Sequence, residues 1–130
     1  MLDLYYLCGD PSTYVREGET VLDLGAGGGK ICFIAAQIVG PKGRVIGVDM
    51  NDDMLALSRS AQGAVTKAIG YDNVEFRHGR IQDLKTDLDA VGHLLDGNPV
   101  KNATDYKALE SAMERLREER PLVESDSIDV

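Results

Sequence analysis

Between residues 20 and 84, short apolar runs alternate with stretches of helical periodicity. Thr20-Val-Leu-Asp-Leu24 reads as a compact strand that runs straight into Gly25-Ala-Gly-Gly-Gly29. After Lys30, the apolar residues Ile31, Ile34, Ala35, Ile38 and Val39 recur at i, i+3, i+4, i+7 and i+8, on one face of a helix. Gly40-Pro41-Lys42-Gly43 ends that helix, because Gly suits its C-terminus and Pro cannot continue it. Arg44-Val-Ile-Gly-Val-Asp49 is a second strand, and its β-branched run predicts burial on both faces. Asn51 and Asp52 are good N-caps for a second helix, predicted to end at Gly70. Val74-Glu-Phe-Arg77 completes the series as a third, shorter strand. Strand, helix, strand, helix, strand is the order of a parallel α/β sheet with right-handed crossovers.

The rhythm changes after Asp83-Leu84. Two helical stretches, 86–96 and 104–120, flank Gly97-Asn-Pro99, and the second carries Tyr106, Leu109, Met113 and Leu116 at 3-4-3 spacing. It reads as an amphipathic helix with a solvated charged side; the alternative is a helix that binds a partner. Residues 124–130 read as a turn and the opening of a fourth strand. Sheets of this kind usually have five or six strands. The expectation is therefore one domain that is a fragment of a longer protein: a cofactor-binding unit at 20–84, a helical insertion at 85–123, and the start of a fourth strand at 124–130.

Composition narrows the function classes. The chain has 130 residues, 43% hydrophobic and 28% charged, which argues against disorder. Lys+Arg 14 against Asp+Glu 22 gives a net charge of −8, with no basic run, so nucleic acid is not expected as a partner. No apolar stretch approaches the ~20 residues of a membrane helix, and the first residues lack the pattern of a secretory leader. Cys8 and Cys32 cannot form a disulfide framework, and two reduced thiols in a cytoplasmic protein are expected. His78 and His93 lack ligand spacing and receive no role.

The glycine run between strand and helix is where the backbone turns tightly and approaches a ligand. The phosphate loop Gly-x-x-x-x-Gly-Lys-Ser/Thr fails, because Ile31 follows Gly29-Lys30 and Leu24 stands where the first glycine belongs. The dinucleotide pattern Gly-x-Gly-x-x-Gly fails as well, with Lys30 or Cys32 at its third glycine. What remains is Asp23-Leu-Gly-Ala-Gly-Gly-Gly29, which resembles the first motif of class I S-adenosylmethionine-dependent methyltransferases. A carboxylate at Asp23 suits a ligand bearing an ammonium and a sulfonium, and would repel a pyrophosphate. Asp49 ends the second strand 20 residues after Gly29, where an acid can accept both ribose hydroxyls. Its alternative is an N-cap for the helix that follows.

A closer resemblance lies in Leu7-Cys-Gly-Asp-Pro11, Gly18-Glu-Thr-Val-Leu-Asp-Leu-Gly25, Gly40-Pro-Lys-Gly-Arg-Val-Ile-Gly-Val-Asp-Met50, Asn73-Val-Glu-Phe-Arg-His-Gly79 and Ile81 to Leu84. These are similar to the arsenite methyltransferase family. The resemblance implies a Rossmann-like, doubly wound parallel sheet of local order 3-2-1, with S-adenosyl-L-methionine at the strands' carboxyl ends. The implied cofactor residues are Asp23, Gly25, Gly27, Gly29, Asp49, Met50, Ile81 and Gln82, with Ile81 packing on the purine and the Gln82 amide bonding its polar edge. The family more often has an acidic residue at the position of Gln82. Residues 1–19 would form a substrate-side segment in which Cys8 is a thiolate ligand to trivalent arsenic, the family's other such cysteines lying beyond Val130. Cys32 is expected to be a packing residue. The implied function is methyl transfer to a small-molecule acceptor, arsenite as a thiolate complex among them. A non-catalytic S-adenosylmethionine-binding or assembly module is the alternative, and a nicotinamide-dependent oxidoreductase a remote one.

Overall fold

The computed structural model describes residues 13–130. Its elements are β1 (Thr20–Leu24), α1 (Lys30–Val39), β2 (Arg44–Asp49), α2 (Asp52–Ile69), β3 (Val74–His78), α3 (Leu88–Gly97) and α4 (Ala103–Glu119). The strands form one parallel sheet in the order β1-β2-β3, with Thr20 opposite Arg44 and Val45 opposite Val74. This is the expected α/β arrangement and local strand order. β3 runs one residue further than the pattern predicts, and α3 begins at Leu88 rather than at 86. The later start has a local cause. Asp83 accepts hydrogen bonds from Lys85 N, Thr86 N and Thr86 Oγ1, which holds a turn, and Asp87 then caps α3 through Asp89 N and Ala90 N.

The sheet has two unlike faces. Val21, Val45, Val74 and Phe76 meet Cys32, Phe33, Ala36 and Val39 of α1 and Leu55 of α2, all buried. The rings of Phe33 and Phe76 pack edge to face, with centroids 5.5 Å apart. On the other face Ile46 and Val48 are covered by Leu122 and Val123, with Leu22, Leu84 and Ile128 alongside. The central strand β2 is thus buried from both sides, as its apolar run predicts. Asn73 ties the turn before β3 to the end of α1, donating to Ala36 O and Gly40 O at 3.0 and 2.9 Å.

The chain leaves the sheet after Leu84 and returns at Leu122, and the two crossings are clasped together. Leu122 N bonds Lys85 O and Val123 N bonds Leu84 O, so α3 and α4 form a stalked pair in which neither helix has a fully buried residue. Thr86, Leu122 and Val123 belong to the core rather than to the helical excursion. The last residues lie along the free edge of β1. Val130 N donates to Thr20 O at 3.2 Å and Leu22 N to Val130 O at 2.9 Å, an exchange proper to parallel neighbours, although residues 124–130 form no strand. Ahead of β1, Val15 is buried and Gly18 N bonds Val39 O.

Gly47, in the middle of β2, sits opposite Asp23. A Cβ there would stand 2.8 Å from Cys32 Sγ and 2.9 Å from both Ala26 Cβ and Phe76 Cδ1. Gly47→Ala is expected to cost about 1–3 kcal/mol of stability through overpacking. Gly63, on an open stretch of α2 with nothing within 4 Å, should instead gain about 0.5–1 kcal/mol as alanine. Urea unfolding followed by circular dichroism measures both; equal stability of Gly47→Ala and the parent would mean that α1 does not press on β2 as described.

Candidate cofactor site

Three strand ends and the loops that follow them build the site. After Leu24 the chain turns back over β2, with Gly25 N and Ala26 N both donating to Val48 O at 2.8 and 3.0 Å. Gly25, Gly27 and Gly29 all have positive φ. At Gly29 the requirement is double: its φ is 86°, and a Cβ would lie 2.8 Å from Phe76 Cζ and 2.9 Å from Ser58 Cβ. α1 starts immediately afterwards. No side chain caps its N-terminus, so its first N–H groups face the loop.

Asp49 fastens this loop in place. Its Oδ2 accepts from Gly27 N at 2.9 Å and its Oδ1 from Asn51 N at 2.8 Å. The N-cap of α2 is Asn51, whose Oδ1 accepts from Asp53 N and Met54 N, so the capping alternative for Asp49 falls away. An ionised carboxylate has about four acceptor positions, and two remain for a ligand. Asp23 lies across the loop, half-buried, accepting the Cys32 thiol at 3.3 Å. Burial raises its carboxyl above the usual carboxylate range; the bond from Cys32 opposes that rise and the negative charge of Asp49 adds to it. Burial, then the charge of Asp23, push the Cys32 thiol up in turn. Two neighbouring carboxylates, one of them half-buried, make this end of the sheet receptive to a cationic ligand.

Apolar surface completes the site. Leu24, Met50 and Ile81 are 42%, 63% and 56% exposed, and each lies at or just beyond the carboxyl end of a different strand. Ile81 Cδ1 is 3.7 Å from where a Cβ on Gly25 would be, so it lies over the glycine loop. Ile81 and Gln82 share a tight turn closed by Asp83 N to Arg80 O, and Gln82 is exposed. The eight cofactor residues expected from the sequence, Asp23, Gly25, Gly27, Gly29, Asp49, Met50, Ile81 and Gln82, all lie at this end of the sheet. Cys8 lies outside the described residues. Asn51 takes the cap that the sequence offered it, whereas Leu24 and Asp83 were not singled out as site residues; Asp83, three residues after Arg80 and three before Thr86, carries a turn signal that identifies its role in retrospect.

Cys32, fully buried and hydrogen-bonded to Asp23, should resist brief alkylation of the native protein and react only on unfolding. Peptide mass spectrometry after a short pulse of iodoacetamide checks this, and rapid native labelling would show that α1 is not packed on β1 and β2.

Comparison with known proteins gives the family of this chain. The methyltransferase domain family matches residues 16–121. The chain is 44% identical over 80 residues to an arsenite methyltransferase of Aquipseudomonas alcaligenes, covering 62% of this chain and 23% of that protein. It is 43% identical over 105 residues to an arsenite methyltransferase of Halobacterium salinarum, covering 79% and 26% respectively. A solved arsenic(III) S-adenosylmethionine methyltransferase from Chlamydomonas reinhardtii is 43% identical, with a TM-score of 0.48 over 51% of this chain and 23% of that one. The chain thus spans about a quarter of the length of the two curated relatives. Because the family match takes in all three strands, the glycine loop and both helices of the excursion, the chain belongs to the methyltransferase domain family.

Proposed function

We propose that this chain is the S-adenosylmethionine-binding part of a methyltransferase whose acceptor is a small molecule, with arsenite as a thiolate complex the acceptor its relatives favour. The observation that carries the cofactor reading is the glycine loop held between Asp23 and Asp49 beside the uncapped start of α1. A pyrophosphate would face two carboxylates there. A methionine moiety brings an ammonium and a sulfonium that relieve their mutual repulsion, and a carboxylate for the N–H groups of α1.

When bound, S-adenosylmethionine supplies an electrophilic methyl carbon on its sulfonium. The chain supplies position. Asp49 accepts from the ribose hydroxyls while its bonds to Gly27 N and Asn51 N keep it from turning away. Met50 and Ile81 offer exposed apolar surface to the purine, and the Gln82 amide offers hydrogen bonds to its polar edge. Little further chemistry is needed from the protein, since alignment of donor and nucleophile accounts for much of the acceleration of such transfers. On the acceptor side, Cys8 is the residue this chain contributes. Cys32 does not serve, because its thiol is buried and held protonated. Cys8 alone does not make a three-thiolate arsenic site, so this chain by itself binds the cofactor and leaves arsenite unmethylated.

Asp49→Ala should weaken S-adenosylmethionine binding by about 1.5–3 kcal/mol, as loss of a charged acceptor does. Calorimetric titration of the two folded proteins measures this, and equal affinities would remove Asp49 from the site; NAD should give no heat with either. With labelled methyl donor, arsenite and a thiol reductant, the 130-residue chain should show no multiple turnovers. Sustained methylation would overturn the assignment of the acceptor side.

A further inference from the structure

His78 ends β3 on the side of the sheet away from β1, and both of its ring nitrogens are engaged. Nε2 lies 2.9 Å from Met50 O. A carbonyl oxygen only accepts, so Nε2 carries the hydrogen. Nδ1 then faces two carboxylates, with Asp89 Oδ1 at 3.0 Å and Asp52 Oδ1 at 3.4 Å. In the neutral ring this places a nitrogen lone pair against two anionic oxygens, an arrangement that holds together only around a positive centre. One donor atom from each of Asp52, His78 and Asp89 lies within 4.8 Å of the others. Two donors each ~2.0–2.1 Å from one tetrahedral ion stand about 3.3 Å apart, close to the two separations observed.

The surroundings point the same way. A cavity of about 250 Å³ opens here, lined by Asp52, His78, Asp89, His93 and Asp96. Asp89, His93 and Asp96 are spaced i, i+4 and i+7 on α3, so they share the face of that helix that lines this cavity. Arg59 occupies the other oxygen of Asp89, at 3.2 Å, and leaves Oδ1 to the cluster. Two carboxylates against one guanidinium leave one negative charge beside the Nδ1 lone pair, which a cation held in the cluster offsets. A backbone carbonyl fixing the tautomer through the remote ring nitrogen is also the usual support of a metal-ligating histidine.

We propose that Asp52, His78 and Asp89 bind one divalent transition-metal ion. Mixed imidazole and carboxylate donors suit Zn²⁺. The ion would join α3 to the ends of β3 and α2. It would also brace the segment that carries Asp49 and Met50, since His78 holds Met50 O and Gly79 N holds Asp49 O. The site is separate from the cofactor loop and stands whether or not that loop takes S-adenosylmethionine.

The test is calorimetric titration of chelator-stripped protein with Zn²⁺, backed by the absorption spectrum of the Co²⁺ form. One saturable equivalent is expected, together with a rise in the unfolding temperature. Asp52→Asn, at a side chain 82% exposed and so harmless to folding, and His78→Gln, which keeps a donor for Met50 O, should each weaken binding about tenfold or more. Absence of saturable binding would overturn the proposal and leave a proton as the positive centre. Binding unchanged in both variants would overturn it too, as would thiolate-to-metal charge transfer in the Co²⁺ spectrum, which would put the ion on cysteine.

Discussion

The Asp49 carboxylate accepts Gly27 N–H on one side and Asn51 N–H on the other, and so joins the loop after β1 to the turn that opens α2. Both partners are backbone groups that have no strand or helix partner of their own. Charge-assisted bonds of this kind contribute about 1.5–3 kcal/mol each when formed away from bulk water. Their geometric effect matters more. The glycine loop has positive φ at alternate positions and almost no side chains with which to stiffen itself, so Asp49, together with the bonds of Gly25 N and Ala26 N to Val48 O, gives it one conformation. The start of α1, the exposure of Met50 and the facing of Asp23 all follow from where that loop is held.

That clasp works only because β2 lies in the middle of the sheet. Val45, Ile46 and Val48 are buried between α1 and α2 on one face and Leu122 and Val123 on the other, which fixes the strand that ends in Asp49. Gly47 lets α1 approach closely enough for Cys32 to reach Asp23. The helical excursion returns to the sheet at Leu122, so the second face is covered by the same crossing that anchors α3 and α4. One short strand therefore sets the core, the loop and the electrostatics of the site together.

Most of the cofactor end was legible in the sequence because it is local. A glycine run between an apolar strand and an amphipathic helix, with acids before it and at the next strand end, carries its geometry in its spacing. The roles of Asn51 and Asp83 were partly legible, since capping and turn residues act within three positions of themselves. Asp49 was ambiguous between ribose acceptor and helix cap, and the ambiguity is physical: Asp49 and Asn51 both suit a cap. Only the bond from Asp53 N to Asn51 shows that Asn51 takes the cap, while Asp49 accepts from Gly27 N instead.

The sequence by itself determined the order of strands and helices, the doubly covered β2 and the glycine loop, because periodicity and backbone freedom are properties of neighbouring residues. It also set the limits of charge and thiol number. Tertiary structure alone decided what lies across large sequence gaps. Asp52, His78 and Asp89 come from the starts of two helices and the end of a strand, with no spacing that a linear pattern would reveal. The clasp of Leu84 and Lys85 with Val123 and Leu122, and the bonds of Val130 to the edge of β1, are of the same kind. Such contacts follow from how the sheet twists and how its crossovers close, and these are fixed only when the whole chain packs.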